Sequence, residues 1–443
     1  MSDIHSLPVT MTLTADQTHR KNRRRAVVSS SVGTAIEWYD FFLYGVAAAT
    51  VFPQKFFPSS DPFTATMLSF ATFFVGFAAR PVGAAIFGHF GDRVGRKKLL
   101  VFTMIVMGAS TMGVGLVPSY EIIGIWGGVL LTIGRILQGL AIGGQWSGSV
   151  LMAAEWTDPK ARGFTTSFTQ LGAPAGMVLA NGVLALMTVF TTDQSFLDWG
   201  WRIPFLASVA LVIAGFYIRA GVKETPVFEE LKKTGAVVKM PVLEVLRSNG
   251  RDVAVTALLR TSQQTCFYMF TTYIITYATT VLGLGRGMVL NFVMIQALIS
   301  CFTIPLFGHL SDIYGRRTIT AIGCAIMIVF PFVYFGMLDS KSLPLVFIAI
   351  AVALPLQDLQ YGPQAAFIAE SFPPALRYSG SSLGYQLASI TAGGPSPIIA
   401  ALLLRDYGTS TAIAVYISLC SVISLICVFL MPHSTDSHGH GRG

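Results

Sequence analysis

Apolar stretches of about 20 residues recur twelve times along the chain, and this recurrence constrains the fold more than any other feature. A stretch of about that length crosses the hydrocarbon core of a bilayer as an α-helix. Soluble domains carry about 25% charged residues. This chain of 443 residues carries 12%, too few to cover the surface of a soluble fold. The pattern predicts an all-α membrane protein, and it differs from the weak alternating strands of an outer-membrane barrel.

The predicted spans form two groups of six, separated by a polar segment. They are 26–52, 63–88, 99–117, 122–150, 164–190, 203–219, 253–281, 288–308, 318–337, 344–368, 379–404 and 409–431. The resulting divisions are an N-terminal tail (1–25), a first bundle (26–219), a linker (220–252), a second bundle (253–431) and a C-terminal tail (432–443). The first span is longer than a signal-peptide core and contains Glu37 and Asp40, so we interpret it as a transmembrane helix.

The positions of Lys and Arg predict the orientation. Of these 30 residues, 22 lie in the N-terminal tail, in the even-numbered connections and at the end of the sixth span (Arg219), and five lie in the odd-numbered connections, so both termini are expected in the cytoplasm. This topology accounts for the net charge of +8 without a nucleic-acid partner. The five cysteines lie in apolar stretches without zinc-site spacing, and the scattered His433, His438 and His440 are weak evidence for metal. We therefore predict no metal and no cofactor.

The two bundles repeat each other in sequence. The matched pairs are Gly88 and Gly308, Asp92 and Asp312, Gly95 and Gly315, and Arg96 and Arg316, each 220 positions apart, and Glu155 and Glu370, 215 positions apart, each followed seven residues later by an arginine, Arg162 or Arg377. A duplicated six-helix unit is typical of parallel-repeat secondary transporters. Their substrate site lies between the two halves near the bilayer midplane.

Several motifs narrow this prediction to a family. They are Gly88-x-x-x-Asp92-Arg93-x-Gly95-Arg96-Lys97 with its repeat at 308–317, Glu37-Trp38-Tyr39-Asp40-Phe41, Arg80-Pro81-x-Gly83, Arg135-x-x-Gln138-Gly139, Gly200-Trp201-Arg202-Ile203-Pro204-Phe205, Tyr361-Gly362-Pro363-Gln364 and Arg377-Tyr378-Ser379-Gly380. With them the sequence resembles the metabolite:proton symporters of the major facilitator superfamily, over residues 24–431, and is most similar to shikimate permeases. The resemblance implies a twelve-helix fold and proton-coupled import of a small organic acid across a bacterial inner membrane.

One position departs from the family pattern. The family motif after Arg135 usually ends in Glu, and this chain has Gln145, which keeps the shape and loses the titratable proton. An uncoupled facilitator or a substrate sensor therefore stays open as an alternative. A proline/betaine-type osmolyte:proton symporter is a second alternative, because Arg260 and Asp40 offer the base and the acid that a zwitterion needs. No catalytic constellation is visible, so we do not expect an enzyme, and we expect a monomer in the lipid bilayer.

Charged residues within the spans are functional candidates because burying a charge in hydrocarbon is costly. Asp40 and Glu37 share one face of the first span and are candidates for proton binding, as is Asp358 in span 10. Each of these carboxylates has an alternative role as a permanent partner of an arginine.

Arg135 and Arg260 are candidates to bind a carboxylate, because a guanidinium binds carboxylates bidentately. Polar and aromatic side chains that could complete the pocket are Gln138, Gln145, Tyr39, Tyr44, Gln264, Tyr268, Tyr361 and Tyr385. Arg80 lies about two turns from Gly88, which favours a gating or packing role over substrate contact.

The loop motifs favour a gating role. Asp92 can accept hydrogen bonds from Arg96 and from the amides at a helix N-terminus. Such a cluster can hold helices together in one conformation and separate in another. The predicted gating residues are Arg80, Asp92, Arg96, Glu155 with Arg162, Asp312, Arg316, and Glu370 with Arg377.

Overall fold

The computed structural model describes residues 9–58 and 61–432, and the regular elements in these ranges are helices. Twelve long helices follow the order of the predicted spans. We label them α1 (Val9–Thr50), α2 (Pro62–Val94), α3 (Arg96–Leu116), α4 (Trp126–Glu155), α5 (Arg162–Gln170 and Gly172–Phe190), α6 (Arg202–Ala220), α7 (Gly250–Tyr268, a π-helical turn Met269–Tyr273, and Ile274–Thr280), α8 (Arg286–Tyr314), α9 (Arg316–Asp339), α10 (Leu343–Glu370), α11 (Arg377–Ala388, a π-helical turn Ser389–Gly393, and Ser396–Tyr407) and α12 (Ser410–Leu430).

Within the described ranges, ten helices are long and apolar enough to cross a membrane. The other two of the twelve, α1 and α7, carry more polar and charged residues along their length. Helix α1 begins at Val9 and therefore includes residues 9–25, which precede the first apolar stretch and contain no proline or glycine that would end a helix. The histidines at 433, 438 and 440 lie outside the described residues.

Glycine allows two tight turns and one close helix contact. Gly95 joins α2 to α3 with φ +115°, and Gly315 joins α8 to α9 with φ +93°; L side chains rarely adopt either conformation. A Cβ atom on Gly83 of α2 would overlap the backbone of Leu140 in α4. Small residues let membrane helices approach this closely, and the approach brings the α2 side chains toward the centre of the molecule.

The two halves of the chain contact each other through helices that the sequence repeat relates. Helix α2 packs against α11, and α8 packs against α5. Two short helices, Pro226–Lys233 and Pro241–Ser248, lie between the bundles in the linker. The buried polar side chains that concern function lie where α1, α2 and α4 of the first bundle face α7, α10 and α11 of the second.

Candidate functional site

A chain of polar groups joins α1 to α4 in the first bundle. The Nε2 of Gln138 donates a hydrogen bond to Oδ2 of Asp40 at 2.9 Å, and Oε1 of Gln138 accepts one from Nη1 of Arg135 at 3.0 Å. The amide also donates to the Thr111 hydroxyl at 2.9 Å. Within the described part of the chain, Asp40 and Arg135 form no ion pair, and Oδ1 of Asp40 has no hydrogen-bond partner. The predicted acid and base are therefore close, and an amide connects them.

Aromatic rings surround the guanidinium of Arg135. Its central carbon lies 4.4 Å from the ring centroid of Tyr44 and 4.8 Å from that of Phe73. The Tyr44 hydroxyl is hydrogen bonded to Thr72 at 2.8 Å, so the ring presents its face to the cation. Arg135 is 1% exposed, and its Nε has no hydrogen-bond partner. Cation–π contacts stabilise the charge only in part, which leaves this guanidinium available to an anion.

Glu37 lies one helical turn before Asp40 and faces two arginines. It interacts electrostatically with Arg80 and Arg219, and its Oε2 has no hydrogen-bond partner. Arg80 is buried and interacts electrostatically with Tyr268 in the second bundle. The close packing of α2 on α4 thus brings Arg80 into the central group, nearer to the other charged side chains than its sequence position suggests.

Arg219 is a central residue that the sequence does not reveal. It ends the predicted sixth span, where a positive charge is ordinarily cytoplasmic, yet it is 1% exposed. Its Nη1 donates to the carbonyl of Leu100 at 2.7 Å and its Nη2 to the hydroxyl of Ser149 at 3.2 Å. Its guanidinium lies against Gly33 on α1, where only a residue without a Cβ leaves room for it, and this contact between distant helices leaves no signal in the sequence.

Arg260 lies in a stack of side chains that crosses from one bundle to the other. Its Nη1 donates to the carbonyl of Tyr385 at 2.5 Å and its Nε to Oε1 of Gln364 at 3.3 Å. Its guanidinium carbon lies 3.1 Å from the Tyr385 ring centroid. That ring stacks on Trp146 of α4 at 3.4 Å between centroids, and the Trp146 indole donates to Gln170 at 2.7 Å. Sequence reasoning missed Trp146, because it lies four residues from the end of the predicted span 122–150, where a tryptophan at the membrane interface is ordinary.

The other predicted pocket residues fall into two groups. Tyr39 donates to the carbonyl of Pro204 at 2.9 Å, so its hydroxyl is directed toward α6. Gln145 donates to the carbonyl of Gly33 at 3.3 Å, and Gln264 donates to Ser389 at 3.1 Å. The hydroxyls of Tyr268 and Tyr361 and the Oε1 of Gln145 are buried without hydrogen-bond partners. These last three groups, together with the central arginines, are the unsatisfied polar atoms that a ligand could use.

Asp358 is separate from the arginines. One of its oxygens accepts hydrogen bonds from Ser300 and, at 2.6 Å, from Thr303, both on α8, and the other oxygen has no partner. In the ranges that the structure describes, Asp358 forms no ion pair. A carboxyl in such surroundings can exchange a proton because no permanent arginine partner holds its charge.

The repeated loop motif connects the two bundles. Asp92 accepts hydrogen bonds from the backbone amides of Tyr378 at 3.2 Å and Ser379 at 2.9 Å, at the start of α11, and pairs with Arg96 at 3.5 Å. Arg96 also pairs with Glu155 at 3.4 Å. The amides that Asp92 binds thus belong to the opposite bundle, where the sequence predicted only some helix N-terminus.

The equivalent residues of the second bundle make the same contacts in reverse. Asp312 accepts from the backbone amides of Gly163 at 2.8 Å and Phe164 at 2.7 Å, at the start of α5, and pairs with Arg316 at 2.5 Å. Arg316 pairs with Glu370 at 3.2 Å. We call these two groups the first clasp (Asp92, Arg96, Glu155) and the second clasp (Asp312, Arg316, Glu370). Arg162 and Arg377, the other predicted gating residues, begin α5 and α11 beside them.

The linker caps the helix that follows the first clasp. Glu224 accepts hydrogen bonds from the backbone amides of Arg96 at 3.1 Å and Lys97 at 3.1 Å, at the N-terminus of α3. The Phe228 ring lies 5.0 Å from the Arg96 guanidinium carbon. Burial raises the pKa of the Glu224 carboxyl above its ordinary value. The linker is therefore attached to the same arginine that holds the first clasp together.

A helical membrane protein made of two repeated six-helix bundles, with buried charges between them and matched clasps at one end, is a secondary transporter by class. The described residues contain no cluster of metal-ligating side chains. The family model of the Major Facilitator Superfamily matches residues 30–393, and the chain belongs to this superfamily.

Curated relatives cover nearly the whole chain. An inner membrane metabolite transport protein of Escherichia coli (strain K12), YhjE, is 41% identical over 94% of this chain and 95% of the relative. The shikimate transporter of the same organism is 39% identical, over 93% of this chain and 95% of its own length. The proline/betaine transporter of Escherichia coli (strain K12) is 32% identical, over 93% of this chain and 84% of the relative.

Solved structures share the fold. The proton:xylose symporter XylE bound to 6-bromo-6-deoxy-D-glucose superposes with a TM-score of 0.74 at 16% identity, over 94% of this chain and 97% of that one. The predicted fold and the predicted family are therefore confirmed. The protein is a membrane transporter of small metabolites, as its relatives are, and not an enzyme.

Proposed function

We propose that the protein imports a small organic acid, of the shikimate-like carboxylate type, together with protons by alternating access. The moving bodies are residues 26–219 and 253–431. The linker 220–252 and both tails (1–25 and 432–443) lie in the cytoplasm, the membrane is the bacterial inner membrane, and the monomer is the working unit. The excess of Lys and Arg in the even-numbered connections supports this orientation.

The observation that carries the proposal is a contrast between two sets of arginines. Arg96 and Arg316 in the clasps each pair with two carboxylates. Arg135 and Arg260 pair with none among the described residues, although both are 1% exposed. A buried charge without a counter-ion is costly. An organic carboxylate supplies the missing anion, since it matches the guanidinium bidentately.

Nearby polar groups orient the rest of the substrate in this proposal. Tyr268 and Tyr361 offer hydroxyls without partners, and Gln145 offers an amide oxygen. The further members of the proposed pocket are Gln138, Gln264, Tyr39, Tyr44 and Tyr385. A small acid that carries hydroxyl groups suits this combination of donors and acceptors.

Asp40, with Glu37, binds the transported proton in this proposal. The charge of Asp40 holds the Gln138 amide, which in turn holds Arg135. Protonation of Asp40 removes that charge, so the amide and the guanidinium can turn toward the substrate. Asp358 is proposed as a second proton site, supported by its hydroxyl partners on α8.

The two clasps close the cytoplasmic side in this proposal. Each holds the start of a helix from the opposite bundle, so inward opening requires both to separate. Trp146 and Tyr385 stack between the clasps and the central charges and separate in the same movement. The gating set is Arg80, Asp92, Arg96, Glu155, Arg162, Asp312, Arg316, Glu370 and Arg377.

Counterflow of radiolabelled shikimate in proteoliposomes tests the coupling. The Asp40→Asn variant should lose accumulation driven by a pH gradient and keep counterflow, because exchange needs no net proton movement. Asp406→Asn, an exposed aspartate paired with Arg405, is the control and should keep both activities. Gradient-driven accumulation by Asp40→Asn would contradict the role given to Asp40.

An osmolyte symporter is the second candidate, because an acid (Asp40) and a base (Arg135) are held apart by Gln138 and could each bind one end of a zwitterion. Uptake of glycine betaine and of shikimate, each with and without hyperosmotic shock, separates the two functions. Shock-stimulated betaine uptake without shikimate uptake would favour the osmolyte function. Absence of proton uptake when shikimate is added would instead favour an uncoupled carrier, which Gln145 motivates.

A further inference from the structure

Arg80 and Arg135 lie on the same aromatic side chain. Their guanidinium carbons are 5.2 Å and 5.6 Å from the ring centroid of Phe41. Like charges this close repel each other in a low-dielectric interior. Two arginines are retained there although neither pairs with a carboxylate among the described residues. A substrate carboxylate on Arg135 would leave Arg80 without a directly paired anion among the described residues, attracted only at longer range by Glu37.

Two donor groups lie close together around Arg80: its own guanidinium and the hydroxyl of Tyr268. The Arg80 guanidinium carbon lies 4.5 Å from the Phe77 ring centroid, and the Nε has no hydrogen-bond partner. Tyr268 of α7 packs against the same rings, with centroids 5.8 Å from Phe77 and 6.3 Å from Phe41. Its hydroxyl is buried, makes no hydrogen bond of good geometry, and lies close enough to Arg80 to interact with its guanidinium. A guanidinium and a hydroxyl therefore meet here, one from each bundle.

The balance of buried charges between the two bundles also favours a substrate with more than one anionic group. Four arginines are buried there (Arg80, Arg135, Arg219 and Arg260), against the two carboxylates Glu37 and Asp40. Even with both acids ionised, two positive charges stay unbalanced. A dianion would neutralise them, a monoanion would neutralise half, and a zwitterion would neutralise none.

We propose that Arg80 and the Tyr268 hydroxyl form a second anion-binding position, distinct from that of Arg135 and Gln138, so that the protein selects acids with two anionic groups. This inference rests on the proposed function. Because Tyr268 belongs to the second bundle and Arg80 to the first, a carboxylate at this position also joins the two halves across the substrate.

Binding to the purified full-length protein tests the inference. The probes are malonate, succinate and adipate with two carboxylates, shikimate with one, and glycine betaine as a zwitterion, and affinities are read from ligand-dependent thermal shifts. We expect at least one dicarboxylate to bind about tenfold or more tightly than shikimate, since one additional charge-assisted hydrogen bond contributes that much. Equal affinity for dicarboxylates and shikimate would overturn the inference.

Tyr268→Phe is the sharpest variant because it removes only an unpartnered hydroxyl. Without ligand its melting temperature should stay close to that of the natural protein, since no hydrogen bond of good geometry is lost. Its affinity for the preferred dicarboxylate should fall about tenfold, and its affinity for shikimate should fall by less, because shikimate has no second anionic group to place against Tyr268. An unchanged dicarboxylate affinity would overturn the inference, whatever happens to stability.

Arg80 variants give the second measurement. Arg80→Gln should weaken dicarboxylate binding by roughly 100-fold. The dicarboxylate affinity of Arg80→Lys should lie between those of the natural protein and Arg80→Gln, because lysine keeps the charge without the bidentate geometry. Arg405→Gln, at an exposed position, should change nothing. If Arg80→Gln does not fold, Tyr268→Phe decides alone.

The outcomes separate this inference from the function on which it rests. Suppose that shikimate binds and that Arg80→Gln and Tyr268→Phe weaken the binding of every probe by the same factor. The second anion-binding position is then absent, and the proposed function stands. If none of the acids binds the natural protein, both fail.

Discussion

Substitution of Asp92 by Asn should weaken the first clasp and open that side of the molecule, by an amount that follows from the contacts of Asp92. The carboxylate accepts two backbone hydrogen bonds, from Tyr378 and Ser379, and pairs with Arg96. Asparagine keeps one acceptor oxygen, so one charge-assisted bond and the ion pair are lost. A hydrogen bond to a charged group contributes about 1.5–3 kcal/mol. We therefore expect the closed state to lose about 2–3 kcal/mol, which raises the opening equilibrium constant roughly 30- to 140-fold.

Hydrogen–deuterium exchange with mass spectrometry measures this opening without labels. The amides of Tyr378 and Ser379 are themselves the donors to Asp92, so their exchange should accelerate by the same factor. Asp312→Asn is the matched variant, because Asp312 holds the amides of Gly163 and Phe164 in the equivalent way.

Concerted movement of two rigid bundles makes a stricter prediction. Either substitution should accelerate exchange at both helix starts, since the clasps open together. Acceleration confined to the helix start that contacts the substituted aspartate would refute concerted opening. No acceleration in either variant would refute the clasps as the closure of this side.

Three further predictions concern packing and the linker. Trp146→Ala removes a ring stacked on Tyr385 and should cost about 3–5 kcal/mol of unfolding free energy; an unchanged thermal midpoint would contradict this. Gly83→Leu should abolish folded protein in size-exclusion chromatography, because its side chain would overlap the backbone of α4, whereas Gly113→Leu has open space and should be tolerated. Burial raises the pKa of Glu224, so the folded protein holds this proton more tightly than the unfolded chain, and the site's contribution to stability falls as the pH rises through that raised pKa. Glu224→Gln should flatten the fall of the melting temperature that begins as the pH rises above about 4.3, the ordinary pKa of a glutamate; equal slopes in both proteins would contradict the assignment.

The sequence is sufficient to predict the helices and their duplication. Apolar length and the repeated motif residues, such as Asp92 with Asp312, are local patterns that survive in a single chain. The partner of Asp92 is not predictable in this way, because Tyr378 lies in the opposite bundle and no local pattern relates the two. Contacts between bundles depend on how rigid bodies meet, which the order of residues does not specify.

How deeply an individual side chain is buried is the second property that the sequence does not predict. Arg219 ends a predicted span and resembles an ordinary cytoplasmic charge, yet it packs against Gly33 in the interior. Arg80 shares this difficulty, because its depth follows from the close approach of Gly83 to α4. Tyr39 differs in the other direction: it is a predicted pocket residue, and its hydroxyl donates a hydrogen bond to the carbonyl of Pro204 on α6. Helical periodicity gives the face of a residue, and the neighbouring helix decides what it contacts.

Accumulation of radiolabelled shikimate in proteoliposomes under an inward proton gradient tests the central claim most directly, when wild type is compared with Arg135→Gln. The unpaired guanidinium of Arg135 is proposed to bind the substrate anion, so wild type should concentrate shikimate above its external level. Arg135→Gln should lose this accumulation and bind shikimate at least about tenfold more weakly. Equal accumulation and equal binding in the two proteins would contradict the claim that an organic anion binds this buried arginine.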